Sequence, residues 1–178
     1  MRLAGLLLSL CGVFATGARG ADPASTDTVR EFDAFASPVR IEIPAADPAR
    51  ANAAIDSIER YFQTIGRDWY AFGDGELARV NAALSRGEPA TVSTTLMPLI
   101  TRAIEYQQRS AGLFDPGVCA LVKLWRFDRG ENIDPAGTPP AADTINRLHD
   151  SQGSVADLRI EANILRSRRP LCIDLGGM

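Results

Sequence analysis

Hydrophobic and polar residues follow two clear periods in the first third of the chain. Apolar and charged residues alternate over residues 39–43, and Pro44 follows. A period of two predicts a half-buried strand that ends at this proline. Apolar residues then recur at helical spacing, at Ile55, Ile58, Phe62 and Ile65. This spacing predicts an amphipathic helix of about three turns, closed by Gly66.

Two more helices are predicted in the middle of the chain. Residues 76–84 have a helical pattern, which Gly87 and Pro89 interrupt, and a short strand follows at residues 91–92. The next helix has Thr94 or Thr95 as its cap and ends at Gly112. Its apolar positions are Leu96, Leu99, Ile100, Ala103 and Ile104.

The last third of the chain combines a loop, a helix and strands. Residues 131–140 are polar and rich in proline and glycine, which predicts a loop, and residues 141–149 predict a short helix. Short strands are predicted at residues 158–160, 164–166 and 171–173. Because the strands cluster instead of alternating with helices, the order predicts an α+β fold, an antiparallel or mixed sheet with packed helices.

The first twenty residues predict a signal peptide. Arg2 precedes an apolar run at residues 3–14, which is too short for a bilayer, since a spanning helix needs roughly 20 apolar residues. The small residues around position 20 fit a cleavage site. We therefore expect a signal peptide at residues 1–20, a linker at residues 21–31 and a domain at residues 32–178.

Export to the periplasm is the expected location. Cys11 lies inside the apolar run, but Leu10 precedes it where a lipid-anchor site has a small residue. A lipid anchor is therefore disfavoured, and we expect membrane attachment, as an inner-membrane lipoprotein, only if Cys11 is lipidated. Cys119 and Cys172 form either a disulfide, which an oxidising compartment permits, or two buried thiols.

Composition limits the class of protein. The 178 residues are 46% hydrophobic and 23% charged, with a formal net charge of −3, which fits one globular domain. No stretch is rich in lysine and arginine, so we expect no nucleic-acid partner. The glycines match no phosphate-binding loop, and the single histidine, His149, has no nucleophile pattern around it.

Three stretches are unusual enough to suggest a ligand site. Residues 68–72 crowd aromatic rings before a glycine-rich turn and can present a flat face to an aromatic ligand. Residues 112–117 predict a tight turn whose backbone groups can face a ligand. Asp174 ends an apolar strand before two glycines, where a ligand can approach the backbone closely. Each stretch also has a plain structural interpretation, as aromatic core, simple turn or solvated strand end.

In this order and spacing, the stretches resemble the N-terminal part of the ApbE-like family of FAD:protein FMN transferases. The resemblance runs from Phe32 to the end of the sequence. It rests on residues 35–39, 68–72, 75–81, 112–116, 121–127 and 174–177. It implies a transferase that splits FAD and attaches FMN, through a phosphoester, to a threonine or serine of a partner flavoprotein. It also implies magnesium, and an acceptor that is a flavoprotein subunit of a membrane redox complex.

The resemblance also implies site residues. The predicted flavin-binding residues are Phe35, Tyr70, Ala71, Leu113, Phe114, Asp115 and Asp174. Gly177 is the predicted metal residue, through its backbone oxygen, and no catalytic residue is predicted.

Some residues depart from the family pattern. Residues 36–38 replace a Met-Gly-Thr-like stretch, and Cys119 and Arg126 stand where glycine is usual. The family motif continues past Gly177, whereas this sequence ends at Met178. We therefore expect an incomplete ApbE-like domain with part of the site. Two alternatives stay open, a non-catalytic flavin-binding module and an exported scaffold domain without a ligand.

Overall fold

The computed structural model of the chain describes residues 27–35, 37–44, 47–128 and 137–176. Within these ranges the fold is α+β, as predicted, with helices packed against small antiparallel sheets. The predicted signal peptide and most of the predicted linker lie outside the described residues. No helix within these ranges has the length and apolar character needed to cross a bilayer.

The described strands form two sheets, one with the strand order β1-β2 and one with the strand order β3-β5-β4. In chain order the elements are β1 Thr28–Ala34, β2 Ser37–Ile43, α1 Pro48–Asp68, α2 Glu76–Ser85, β3 Ala90–Thr91, α3 Met97–Arg109, α4 Cys119–Leu124, α5 Ala142–Ser151, β4 Leu158–Glu161 and β5 Ile164–Ser167.

The first sheet is a hairpin that packs on α1. Strand β2 confirms the predicted alternation, and β1 pairs with it along its whole length, from Thr28 opposite Ile43 to Ala34 opposite Ser37. The linker predicted for residues 21–31 is therefore wrong from Thr28 onward. Strand β1 was not predicted because its half-buried positions are not all apolar. Arg30 occupies one of them, and its guanidinium pairs with Asp56 of α1.

Helix α1 is longer than predicted. It begins at Pro48, where proline is tolerated because the first backbone N–H groups have no helical partner. The Asp47 carboxylate caps this end by accepting a hydrogen bond from the Arg50 N–H at 2.9 Å. The predicted stop at Gly66 is wrong, since the helix continues through it to Asp68. Burial of Ile65 beside this glycine offsets the cost of about 1 kcal/mol that a helical glycine carries.

The prediction of helix α2 is confirmed. The carboxylate of its first residue, Glu76, links it to the segment just before α3. The Glu76 carboxylate accepts hydrogen bonds from the Ser93 N–H at 2.5 Å and from the Ser93 hydroxyl at 2.6 Å. The Ser93 hydroxyl in turn accepts from the Leu96 N–H at 3.2 Å. The predicted cap at Thr94 or Thr95 is therefore wrong, because the N-cap residue of α3 is Leu96 and no side chain caps the helix.

The main core lies between α2, α3, the second sheet and an extended segment at residues 171–175. Fully buried side chains from all four parts meet there: Leu77, Leu84, Val92, Leu96, Ile100, Leu165, Leu171 and Ile173. The predicted strands at residues 158–160 and 164–166 are confirmed as β4 and β5. The strand predicted at residues 171–173 is wrong, because this extended segment pairs with no strand of the described sheets.

Gly75 lies where the backbones of α1 and α2 meet. A Cβ at this position would overlap the carbonyl oxygen of Arg67 and would lie 2.8 Å from the Cα of Asp68. Because these are backbone atoms, they cannot move aside without displacing the end of α1. We expect Gly75→Ala to lower the free energy of unfolding by about 3 kcal/mol, as measured by urea denaturation.

Gly66→Ala is the matched control for this prediction. A Cβ at Gly66 would lie 3.7 Å from the Phe35 ring, which is ordinary van der Waals contact. Alanine also favours a helix interior over glycine by about 1 kcal/mol. The free energy of unfolding of the Gly66→Ala variant should match that of the unmutated chain or exceed it. If both variants lost the same free energy of unfolding, the role given to the close approach at Gly75 would be contradicted.

Candidate functional site

A groove of about 980 Å³ opens between the tip of the β1–β2 hairpin, the end of α1 and the end of the segment at residues 171–176. We call it the aromatic groove. Its aromatic lining consists of Phe35, Phe62, Trp69, Tyr70, Phe72 and Phe127. Asp33, Gln63 and Asp174 add polar groups to the lining. Apolar walls with a few polar groups are typical of small-molecule sites, which usually have volumes of roughly 300–1,000 Å³.

Phe35 forms the tip of the hairpin and one wall of the groove. Its φ is 54°, in the left-handed region, and its side chain is 55% exposed. Two-residue hairpin turns favour a positive φ, which costs a side chain other than glycine roughly 1–2 kcal/mol. The ring packs on Phe62 with centroids 5.7 Å apart. The hairpin therefore holds an exposed aromatic ring over the groove in a strained backbone conformation.

Tyr70 forms another wall and is 47% exposed. Its ring packs edge-on against Phe72, with centroids 5.5 Å apart. Its hydroxyl donates a hydrogen bond to the Asp128 carbonyl oxygen at 3.3 Å. Lys123 of α4 lies over the other ring of the pair, with Nζ 5.7 Å from the Phe72 centroid. Tyr70 therefore joins the end of α1 to the chain after α4 while it presents part of its ring to the groove.

Asp174 lies in the extended segment at residues 171–176, which we call the clamped segment. Helix α2 holds one edge of this segment. The buried Asn81 side chain accepts a hydrogen bond from the Ile173 N–H and donates one to the Ile173 carbonyl oxygen, both at 2.8 Å. The Leu171 N–H donates to the Leu84 carbonyl oxygen at 3.4 Å. Asn81 thus bonds both backbone groups of the residue before Asp174.

The other edge of the clamped segment bonds to the turn before α4. The Asp174 N–H donates to the Pro116 carbonyl oxygen at 2.9 Å, and the Cys119 N–H donates to the Cys172 carbonyl oxygen at 3.3 Å. The Asp174 carboxylate also accepts a hydrogen bond from the Gly176 N–H at 2.9 Å. These contacts fix the backbone of Asp174 and orient its half-buried carboxylate at the groove.

Cys119 and Cys172 form a disulfide, which settles the choice that the sequence left open. Their Cα atoms lie 5.2 Å apart, and 53 residues separate them in the sequence. The bond joins the start of α4 to the second residue of the clamped segment. It adds a covalent link to the edge that is already hydrogen-bonded to the turn.

The turn at residues 112–117 lies beside the clamped segment but outside the groove lining. Leu113 is 95% exposed, and the Phe114 ring packs edge-on against Tyr106, with centroids 6.1 Å apart. The Asp115 carboxylate accepts hydrogen bonds from the N–H groups of Gly117 and Val155, at 2.8 and 3.2 Å. Asp115 therefore stabilises the turn that supports Asp174.

The structure brings together only some of the predicted flavin-binding residues. Phe35, Tyr70 and Asp174 line the aromatic groove. Ala71 is buried in the main core, and Leu113, Phe114 and Asp115 lie in the neighbouring turn. Gly177, the predicted metal residue, lies outside the described residues.

Phe62 and Asn81 contribute to this region although the sequence did not single them out. Phe62 lines the groove, but its helical spacing with other apolar residues predicted an ordinary core position. Asn81 is a buried polar residue among the apolar positions Leu77, Val80 and Leu84 of α2. A polar residue on an apolar helix face is a signal that could have marked it, because buried amides need hydrogen-bond partners.

Ion pairs shift the pKa of side chains at the ends of α1 and α2. At the end of α1, hydrogen bonding to the Asp68 carboxylate raises the pKa of the Arg67 guanidinium. On the far end of α2, hydrogen bonding to Arg86 lowers the pKa of Glu88. Within residues 27–35, 37–44, 47–128 and 137–176, no three His, Cys, Asp or Glu side chains gather into a group that could hold a metal ion.

Comparison with known proteins identifies the family. The sequence profile described as the ApbE family matches residues 35–178. The FAD:protein FMN transferase of Rhodobacter capsulatus is 31% identical over 177 residues, which cover 97% of this chain and 32% of that protein. The FAD:protein FMN transferase of Treponema pallidum is 30% identical over 147 residues, which cover 75% of this chain and 37% of that protein.

Solved structures share the fold. The ApbE protein of Thermotoga maritima superposes with a TM-score of 0.72 at 20% identity, over 85% of this chain and 48% of that chain. The flavin transferase ApbE of Vibrio cholerae superposes with a TM-score of 0.69 at 25% identity, over the same shares of the two chains.

The chain belongs to the ApbE family, and the resemblance found in the sequence is confirmed. It spans about a third of the length of the curated relatives it matches.

Removal of the Asn81 amide tests the role of the clamp. Asn81→Ala leaves the N–H and carbonyl of Ile173 buried without these partners, and we expect the free energy of unfolding to fall by about 3 kcal/mol. Asn146→Ala, the same change on the exposed face of α5, should alter it by less than about 0.5 kcal/mol. Urea denaturation of both variants measures the difference, and equal values would contradict the clamp.

Proposed function

We propose that this chain carries the flavin-binding part of an FAD:protein FMN transferase. The observation that carries the proposal is the aromatic groove with Asp174 at its end, in a family whose curated relatives bear that name. In the proposed reaction, a threonine or serine hydroxyl of an acceptor flavoprotein attacks the FMN phosphorus of FAD. The bond between the two phosphates breaks, AMP leaves, the hydroxyl loses its proton, and a phosphoester joins FMN to the acceptor.

The residues of the groove suit the isoalloxazine ring of FAD, which is the substrate. Phe35 and Tyr70 each expose part of a ring at the groove, and aromatic packing contributes about 0.5–1.5 kcal/mol beyond the burial of area. The Asp174 carboxylate can accept a hydrogen bond from a ring N–H or a ribityl hydroxyl. The groove would thus orient the flavin and exclude water from one of its faces.

Magnesium belongs to the proposal only as a requirement to be tested. Mg²⁺ prefers several oxygen ligands in octahedral geometry, and the described residues contain no group of acidic, His or Cys side chains that could supply them. Gly177, the predicted metal residue, lies outside the described residues.

Partner and location follow from the same proposal. The acceptor would be a flavoprotein subunit of a membrane redox complex, and the chain would be exported to the periplasm through residues 1–20. The Cys119–Cys172 disulfide supports export, because disulfides persist in oxidising compartments and are rare in the cytosol. Attachment to the membrane would require lipidation of Cys11.

A non-catalytic flavin-binding module is the second candidate. It is favoured by the groove itself, since exposed aromatic rings and one carboxylate can hold a flavin without cleaving it. A scaffold domain without a ligand is less well supported, because it would bury its aromatic residues fully, whereas Tyr70 is 47% exposed.

Titration of FAD with and without Mg²⁺ separates these functions. We expect flavin fluorescence to be quenched on binding, and AMP to appear, measured by chromatography, only when Mg²⁺ and an acceptor flavoprotein are both present. Quenching that does not depend on Mg²⁺, without AMP, would favour the flavin-binding module. No quenching under either condition would contradict a flavin function.

Removal of one ring tests the groove itself. Because the Tyr70 ring is expected to pack on the flavin, Tyr70→Ala should weaken FAD binding by roughly tenfold. Tyr61→Ala is the matched control, since Tyr61 is 54% exposed on α1 but does not line the groove. Fluorescence titration gives both dissociation constants, and an equal loss in the two variants would place the flavin elsewhere.

A further inference from the structure

The Cys119–Cys172 disulfide lies close to the acidic residue of the aromatic groove. Cys172 precedes Asp174 by two residues, and Cys119 is the first residue of α4, whose Val122 lines the groove. The disulfide therefore joins two walls of the same site. Neither cysteine is among the residues that line the groove.

Two hydrogen bonds run beside the disulfide on the same edge of the clamped segment. They join Cys119 N–H to Cys172 carbonyl oxygen at 3.3 Å, and Asp174 N–H to Pro116 carbonyl oxygen at 2.9 Å. On the opposite edge, Asn81 bonds both backbone groups of Ile173. The position of Asp174 thus depends on two edges, and only one of them contains a bond that a reductant can break.

We propose that the Cys119–Cys172 pair is a positioning element for the Asp174 carboxylate, so that flavin affinity depends on the oxidation state of this pair. The proposal rests on the proposed function. It adds that a covalent bond outside the groove sets the geometry of a group inside it.

The chemistry of the switch is simple. A dithiol breaks the Sγ–Sγ bond and supplies two electrons and two protons, so that two thiols form while the dithiol becomes a disulfide. The two thiol sulfur atoms cannot stay at bonding distance, and because Cys119 is buried, we expect Cys172 to take up the movement. Asn81 still holds Ile173 on the other edge. Reduction should therefore shift Asp174 and weaken the two hydrogen bonds beside the disulfide without unfolding the chain.

The first experiment compares FAD binding to the oxidised chain and to the chain reduced by dithiothreitol. We expect reduction to weaken FAD binding by about tenfold, because the flavin loses its hydrogen bond to the charged Asp174 carboxylate. Cys119→Ala/Cys172→Ala should bind as weakly as the reduced chain and should not respond to dithiothreitol. Urea denaturation confirms that each form is folded under the titration conditions.

A double-mutant cycle with Asp174→Asn shows whether the disulfide acts through this carboxylate. If it does, removal of both cysteines from the Asp174→Asn chain should change FAD affinity by less than about twofold, because the group that they position is already neutral. The same loss in both backgrounds would show a general effect on stability and would overturn the proposal. An unchanged affinity after reduction of the wild-type chain would also overturn it.

Amide hydrogen exchange tests the positioning without flavin. We expect the N–H groups of Asp174 and Gly176 to exchange at least about tenfold faster after reduction, while the interior of α2 keeps its protection. Should the oxidised chain bind no FAD, the proposed function fails, and this measurement alone decides the positioning. Unchanged exchange at Asp174 and Gly176 would overturn it.

Discussion

The clamped segment depends on hydrogen bonds that no strand of the two described sheets supplies. A buried extended backbone must find a partner for each N–H and carbonyl group. Here the Asn81 amide bonds Ile173 like a peptide group of an adjacent strand, and the Leu84 carbonyl at the end of α2 accepts from Leu171. If Asn81 were apolar, Ile173 would have to leave the core or stay there with unpaired polar groups. The Asn81 side chain thus allows one short segment, residues 171–175, to contribute side chains both to the core and to the aromatic groove.

The alternation of an extended chain explains how this sharing works. Successive side chains of an extended backbone point to opposite sides. Leu171, Ile173 and Leu175 are buried in the core, whereas Cys172 and Asp174 are half-buried on the other side. The apolar residues therefore anchor the segment, and the alternate residues are free to form the disulfide and to face the groove.

Strain is concentrated at the opposite wall of the groove. Phe35 is an aromatic residue in a left-handed conformation, and the hairpin register leaves it at the tip of β1–β2. Such conformations persist where surrounding structure fixes them, and they cluster at functional sites. The paired strands and the contact with Phe62 fix it here. One wall is thus held by strand pairing and the other by a clamp, which gives the groove two rigid sides.

Local sequence patterns predicted the elements that can be recognised without knowing their contacts with distant residues. The α+β class, α2, β4 and β5 follow from periodicity and from glycine and proline positions. Strand β1 was missed because Arg30 fills a half-buried position and its charge is balanced by Asp56, 26 residues away. The strand at residues 171–173 was predicted wrongly because alternation reports which side chains are buried, not what the backbone bonds to.

The candidate site was predicted in part for the same reason. The crowded aromatic residues and the acid before two glycines are local signals, and they led to Tyr70 and Asp174. The contributions of Phe62, of Asn81 and of the turn around Asp115 depend on contacts between distant parts of the chain. The sequence alone could not distinguish a residue that faces the groove from one that supports it.

The disulfide also has a topological consequence. Because it joins residues 53 positions apart, the backbone between them forms a closed covalent ring that contains α4, α5, β4 and β5. Strand β5 of this ring pairs with β3, which lies outside it. A single peptide-bond cleavage inside the ring would leave one connected molecule, whereas the same cleavage before Cys119 would divide it in two. The oxidised protein therefore keeps its covalent integrity through a nick in its last third.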